Sequence, residues 1–138
     1  MPSRQNKLSG IAAGAIGAAL LAAEGGYWNY SSAQTQLRNK VEAMTGGHVE
    51  SGRRAFSAYG CGSCHSISGV GGASGLVGPP LTGIGSRAVI GGKLENNPDN
   101  LQRWILDPQA VTPGTAMPRL GVEPQAARDI SAFLYMQS

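Results

Sequence analysis

The stretch CGSCH, residues 61–65, decides how this chain of 138 residues folds. Its two thiols lie three positions apart on a helical turn, so each can add to one vinyl group of a single porphyrin, and the next residue presents an imidazole to the iron. A redox dithiol would need alternating strands and helices, and a zinc site would need two more ligands, for which only His48 remains. The motif therefore predicts one covalently attached haem c, bound through Cys61 and Cys64, with His65 as an iron ligand.

A methionine is predicted to be the second iron ligand. Met1 and Met44 lie in the amino-terminal segments, and Met136 falls on a predicted helix near the carboxyl end. Met117 lies in the loop TPGTAMP, which its prolines hold extended, so that a thioether can be presented outside a helix. The predicted metal ligands are thus His65 and Met117. This pair leaves the iron no open position and favours one-electron transfer, so we predict no catalytic residues and no enzyme activity of the chain alone.

Composition and charge limit the other functions. With 138 residues, 21 glycines and 6% aromatic residues, the chain has room for one compact domain and an appendage. Two cysteines exclude a disulfide-dense scaffold. The net charge is +3, but residues 46–138 carry seven Lys/Arg against six Asp/Glu and no run that alternates basic and aromatic residues. Nucleic acid is therefore not expected as a partner.

The first thirty residues are typical of a membrane anchor. An uncharged run, residues 8–23, follows Arg4 and Lys7, and continuing it to Tyr30 gives about 20 residues with an aromatic belt. We expect an uncleaved, single-pass transmembrane helix over residues 1–30 in a bacterial inner membrane, with all that follows in the periplasm. A cleaved secretory signal and a buried soluble helix are the alternatives.

Further details of this segment set the domain boundaries. Gly10, Gly14 and Gly17 place small residues on one helix face, which suggests a transmembrane helix partner, although glycine-rich signals contain such pairs by chance. Residues 31–47 are polar, have helix-forming character through Met44 and end at two glycines, so they are expected to form a tether. The haem domain is then predicted to span residues 48–138.

Several further segments match one known pattern in order. They are Gly52 with Phe56, the segment Gly78-Pro79-Pro80-Leu81, the helix and loop of residues 100–117, and the closing helix of residues 128–134. From His48 to Gln137 the chain therefore resembles the class I c-type cytochromes, which implies an all-α fold around one haem. In that family an aromatic residue of the closing helix packs on the first helix at its glycine.

The resemblance also implies roles for individual residues. The carbonyl of Pro79 is expected to accept a hydrogen bond from the ligating imidazole. Arg87 and Thr115 are expected near the haem propionates. Trp104 occupies the place of a tyrosine often found near the methionine sulfur.

Among class I cytochromes, residues 78–117 are most similar to cytochrome domains associated with haem-copper terminal oxidases. This implies a membrane-anchored electron carrier of a respiratory chain, from quinol:cytochrome c reductase to a terminal oxidase, or a subunit of that assembly. The electron-accepting subunit of a periplasmic dehydrogenase and a gas-sensing haem protein remain alternatives. The chain departs from mitochondrial-type members at Gln109, Ala110 and Ala116, where those carry docking lysines, and in a glycine-rich insertion over residues 66–77.

Overall fold

The computed structural model describes the backbone of residues 4–137 and the side chains of residues 16–137. The chain divides into two compact units, Met1–Leu37 and Arg38–Ser138. A single helix, α1, runs over Arg4–Thr45 and ends where Gly46 adopts a φ of 68°. The segment predicted to be a tether is therefore helical as far as Thr45.

The predicted transmembrane helix is wrong. Within the residues that the structure describes, no helix is long and apolar enough to cross a membrane. In the sequence the uncharged run spans only residues 8–23 before Glu24 follows, whereas a spanning helix needs about 20 mostly apolar residues. Of the glycines predicted to contact a partner helix, Gly10 and Gly14 lie outside the described side chains. The third, Gly17, has no atom within 4 Å of a Cβ built on it.

The last turns of α1 belong to the second unit. Val41 and Thr45 are each only 3% exposed. The carbonyl of Thr45, which has no acceptor role within the helix, accepts a hydrogen bond from Nε2 of Gln102 at 2.9 Å. The second unit thus includes the end of α1, from Arg38 onward.

Two helices cross at the centre of this unit. Helix α2 spans Val49–Ala58 and α5 spans Pro124–Tyr135. A Cβ on Gly52 would lie 1.8 Å from the carbonyl oxygen of Asp129, so only glycine permits the observed approach. One turn further along α2, the rings of Phe56 and Phe133 pack with centroids 5.5 Å apart. This is the contact between the first and closing helices that the resemblance implies.

Two shorter helices lead toward the methionine loop. Helix α3 spans Pro98–Leu106 and buries Leu101 and Ile105, which lie four positions apart on one face. The side chain of Asn97 caps its first turn by accepting from the amide of Asn100 at 2.9 Å. Helix α4 follows as a single turn, Pro108–Val111.

A small antiparallel hairpin departs from the predicted all-α fold. Strands β1, Val89–Ile90, and β2, Leu94–Glu95, pair with Val89 opposite Glu95. Asn96, directly after β2, donates through Nδ2 to the carbonyls of Ile84 and Arg87, both at 2.8 Å. Its Oδ1 accepts from the hydroxyl of Tyr135 at 2.8 Å. The hairpin is therefore fastened to α5, and the described fold is mostly helical rather than purely so.

Candidate haem site

One cavity brings the predicted site residues together. It has a volume of about 430 Å³, within the range of ordinary cofactor sites. Seven of the eight residues predicted for the site line it: Cys61, Cys64, His65, Pro79, Trp104, Thr115 and Met117. The cavity therefore has the motif CGSCH and the methionine loop in its wall, although about fifty residues separate them in sequence.

The two cysteines are placed by a tight turn that follows α2. Gly60 adopts a φ of 71°, and Cys61–Ser63 then form one turn of 3-10 helix. The amides of Cys64 and His65 both donate to the carbonyl of Cys61, at 3.2 and 3.0 Å. Burial raises the pKa of the Cys61 thiol, and the neighbouring Cys64 adds a smaller rise. The turn thus presents both thiols and the imidazole to one cavity.

The imidazole of His65 is held by the backbone of residues 78 and 79. Its Nδ1 lies 2.8 Å from the carbonyl oxygen of Pro79. Because that carbonyl can only accept, Nδ1 carries the proton and Nε2 is the ring nitrogen that can bind iron. A Cβ on Gly78 would lie 2.3 Å from Cε1 of the ring, so the imidazole packs directly against the backbone of Gly78. Reasoning from sequence named Pro79 but missed Gly78 as a positioning residue.

Arg87 does not line the cavity. Its guanidinium donates to the carbonyls of Pro80 and Thr82, the latter at 3.1 Å. These carbonyls belong to the segment that directly follows Pro79. In this structure Arg87 therefore stabilises the loop whose Pro79 carbonyl accepts the hydrogen bond from His65. The expected contact of Arg87 with a haem propionate stays a prediction.

Gln109 is a further residue whose place in the site the sequence did not indicate. It lies in α4, and its side-chain amide contacts the backbone of the methionine loop at Gly114, Thr115 and Met117. These partners lie five to eight positions downstream in a stretch without periodic structure. No sequence pattern marks such a contact.

The residues present fit a covalently attached haem. Two thiols at the attachment spacing, an oriented imidazole and a thioether line the same cavity. A thioether is a soft ligand and an imidazole is a common ligand of iron, so both suit a haem. Cys61 and Cys64 would carry the porphyrin, and His65 and Met117 would ligate the iron.

Comparison with known proteins agrees with this site. The family model described as cytochrome c matches residues 49–137. The cytochrome c oxidase subunit 2 of Alkalihalophilus pseudofirmus is 43% identical over 79 residues, which is 57% of this chain and 22% of that protein. The same subunit of Bacillus sp. PS3 is 37% identical over 59 residues, covering 41% of this chain and 17% of that protein. That of Bacillus subtilis is 24% identical over 102 residues, covering 72% and 28%.

The chain spans less than a third of the length of each of these relatives. No solved structure matches it. The family model covers well over half of the chain, including both cysteines, the histidine that follows them and the methionine loop. The chain belongs to the cytochrome c family, and the group that its Cys61 and Cys64 bind covalently is haem c.

Proposed function

We propose that this protein carries single electrons in a respiratory chain and delivers them to a haem-copper terminal oxidase. The observation that carries the proposal is that His65 and Met117 line the same cavity as the two cysteines. When bound, a haem with imidazole and thioether ligands supplies a one-electron couple of raised potential. The pair leaves no position for an outside molecule, which favours a carrier over an oxygen- or peroxide-activating enzyme.

The residues around the cavity have three tasks in this function. Pro79 and Gly78 keep the imidazole of His65 in one tautomer and orientation, so that this ligand has little to rearrange when the charge of the site changes. The loop of Met117 would hold the second iron ligand in place. Apolar side chains at the edge, among them Val77 and Leu120, limit the access of water.

The proposed partner follows from the relatives, which are subunits of cytochrome c oxidases. Quinol:cytochrome c reductase is the proposed source of electrons, and the periplasm the proposed compartment. The edge of the cavity favours a docking contact with the partner that depends little on charge. Its residues Val77 and Leu120 are apolar and are 74% and 40% exposed. A lysine-rich surface would instead steer a partner over long distance.

The test is reoxidation of the purified, haem-loaded protein. We expect the ascorbate-reduced protein to be oxidised by oxygen only when membranes that contain a haem-copper oxidase are added, and cyanide to block this reaction. The reduced protein by itself is expected not to bind carbon monoxide. Oxidation at the same rate without membranes, or ready binding of carbon monoxide, would refute the electron-carrier assignment.

A further inference from the structure

We propose that Gln109 is the positioning residue that keeps Met117 at the haem cavity. Three hydrogen bonds join this side chain to the backbone of the methionine loop. Its Oε1 accepts from the amide of Gly114 at 3.1 Å, and its Nε2 donates to the carbonyls of Thr115 and Met117, both at 2.8 Å. The inference rests on the proposed function in one respect, namely that Met117 ligates the iron.

The loop has few other constraints. Among the described residues, residues 113–118 make a single backbone–backbone hydrogen bond, from the amide of Thr115 to the carbonyl of Thr112 at 3.1 Å. The prolines at positions 113 and 118 have no amide hydrogen to donate. The three bonds to Gln109 are therefore most of the hydrogen bonding that holds this backbone.

Gln109 is itself held firmly enough to act as an anchor. It is half-buried in α4, whose first residue, Pro108, is among the most buried side chains of the described structure. The carboxylate of Asp107 caps this turn by accepting from the amide of Ala110 at 3.0 Å. A side chain that starts from a capped, buried turn loses less freedom when it bonds to the loop.

The geometry matches the hydrogen-bonding capacity of an amide. Both amino hydrogens are used on carbonyls and the oxygen is used on an amide, so no other uncharged side chain of this length supplies the same set. An amide nitrogen also has no basic lone pair, so Gln109 does not compete with Met117 for the iron. Gln109 thus acts on the iron through the position of the methionine backbone.

The experiment compares haem-loaded wild type with three variants. Gln109→Ala removes all three bonds, whereas Gln109→Glu keeps an acceptor for Gly114 and removes both donors. Gln102→Ala is the matched control, because it removes a comparable amide-to-carbonyl bond, to Thr45 at 2.9 Å, from a residue that does not line the cavity. The measurements are the hydrogen-exchange rate of the Gly114 amide and the affinity of the ferric protein for imidazole, which competes with the methionine.

For Gln109→Ala we expect faster exchange at Gly114 and roughly tenfold tighter imidazole binding, since all three hydrogen bonds that oppose release of the loop are lost. Gln109→Glu is expected to bind imidazole more tightly than wild type, because both donors to the loop carbonyls are lost. Gln102→Ala is expected to leave both measurements unchanged.

Unchanged imidazole affinity in both Gln109 variants would overturn the proposal, as would an equal increase in Gln102→Ala. Faster exchange at Gly114 without tighter imidazole binding would show a structural role only and would also overturn it. Failure of the ligand assignment is distinguishable, because Met117→Ala would then leave the spectrum and midpoint potential of the protein unchanged.

Discussion

Replacement of Gly52 by alanine tests the helix crossing on which the haem cavity depends. The new Cβ would lie 1.8 Å from the carbonyl oxygen of Asp129, about 1.6 Å less than the 3.4 Å at which ordinary contact begins. It would also lie 2.9 Å from Cβ of Phe133. The obstructing atom belongs to the backbone of α5 and cannot turn away, so α2 and α5 must separate. This loosens the packing of Phe56 on Phe133 and the bond from the His48 amide to Asp129, now 2.8 Å long.

Overpacking of this kind costs about 3 kcal/mol, the upper end of the usual range, because backbone must move. In a domain of this size such a loss lowers the unfolding temperature by roughly 12–24 °C. We expect that drop in thermal unfolding of the oxidised, haem-loaded protein followed by far-ultraviolet circular dichroism. Gly71→Ala is the control, since no atom lies within 4 Å of its Cβ. A melting temperature of Gly52→Ala within a few degrees of wild type, or an equal fall in Gly71→Ala, would refute the reasoning.

Three further predictions concern the site and its support. Met117→Ala should abolish the methionine–iron absorption band and lower the midpoint potential of the haem. Met136→Ala is the control and should change neither, because Met136 does not line the cavity. Equal effects of the two substitutions would reassign the ligand. Cys64→Ala should prevent mature haem loading, measured as haem that resists acidic acetone extraction, and wild-type yields would contradict covalent attachment through this thiol. Burial raises the pKa of Tyr135 to about 12, so the folded protein keeps this proton to higher pH than the unfolded chain. The free energy of unfolding should keep its full value below pH 10 and fall by roughly 2 kcal/mol toward pH 12, as measured by urea titrations. Tyr135→Phe should lose this pH dependence, together with about 1 kcal/mol from its hydrogen bond to Asn96, and an unchanged pH curve would show that another group is responsible.

The parts of the site that the sequence predicted depend on short-range chemistry. The spacing within CGSCH places two thiols and an imidazole on one turn, independently of the fold of the rest of the chain. Proline and glycine around Met117 indicate an extended loop for similar local reasons. The contact of Gly52 and Phe56 with the closing helix was expected from the resemblance to class I cytochromes rather than from the local sequence.

Other expectations failed or stayed open because they depend on contacts between distant segments or on summed hydropathy. The flanking charges and aromatic residues of the first segment resemble those of a membrane anchor, yet no helix of the described residues is apolar over sufficient length. The extended start of the second unit depends on burial of Val41 and Thr45, which no local pattern reveals. Arg87 finds its carbonyl partners only because the loop after Pro79 turns back toward it.

The sequence by itself determined the cofactor and its attachment, because covalent chemistry needs the right groups at the right spacing within a single turn. The hydrogen bond from His65 to the Pro79 carbonyl was expected from the family resemblance. Only the tertiary structure decided what holds the loop of the second predicted ligand, Met117, since the bonds between Gln109 and that loop require folded backbone on both sides. A carbonyl or an amide is present at nearly every position of any chain. Which of them becomes a partner depends on the packing of helices that lie far apart in sequence.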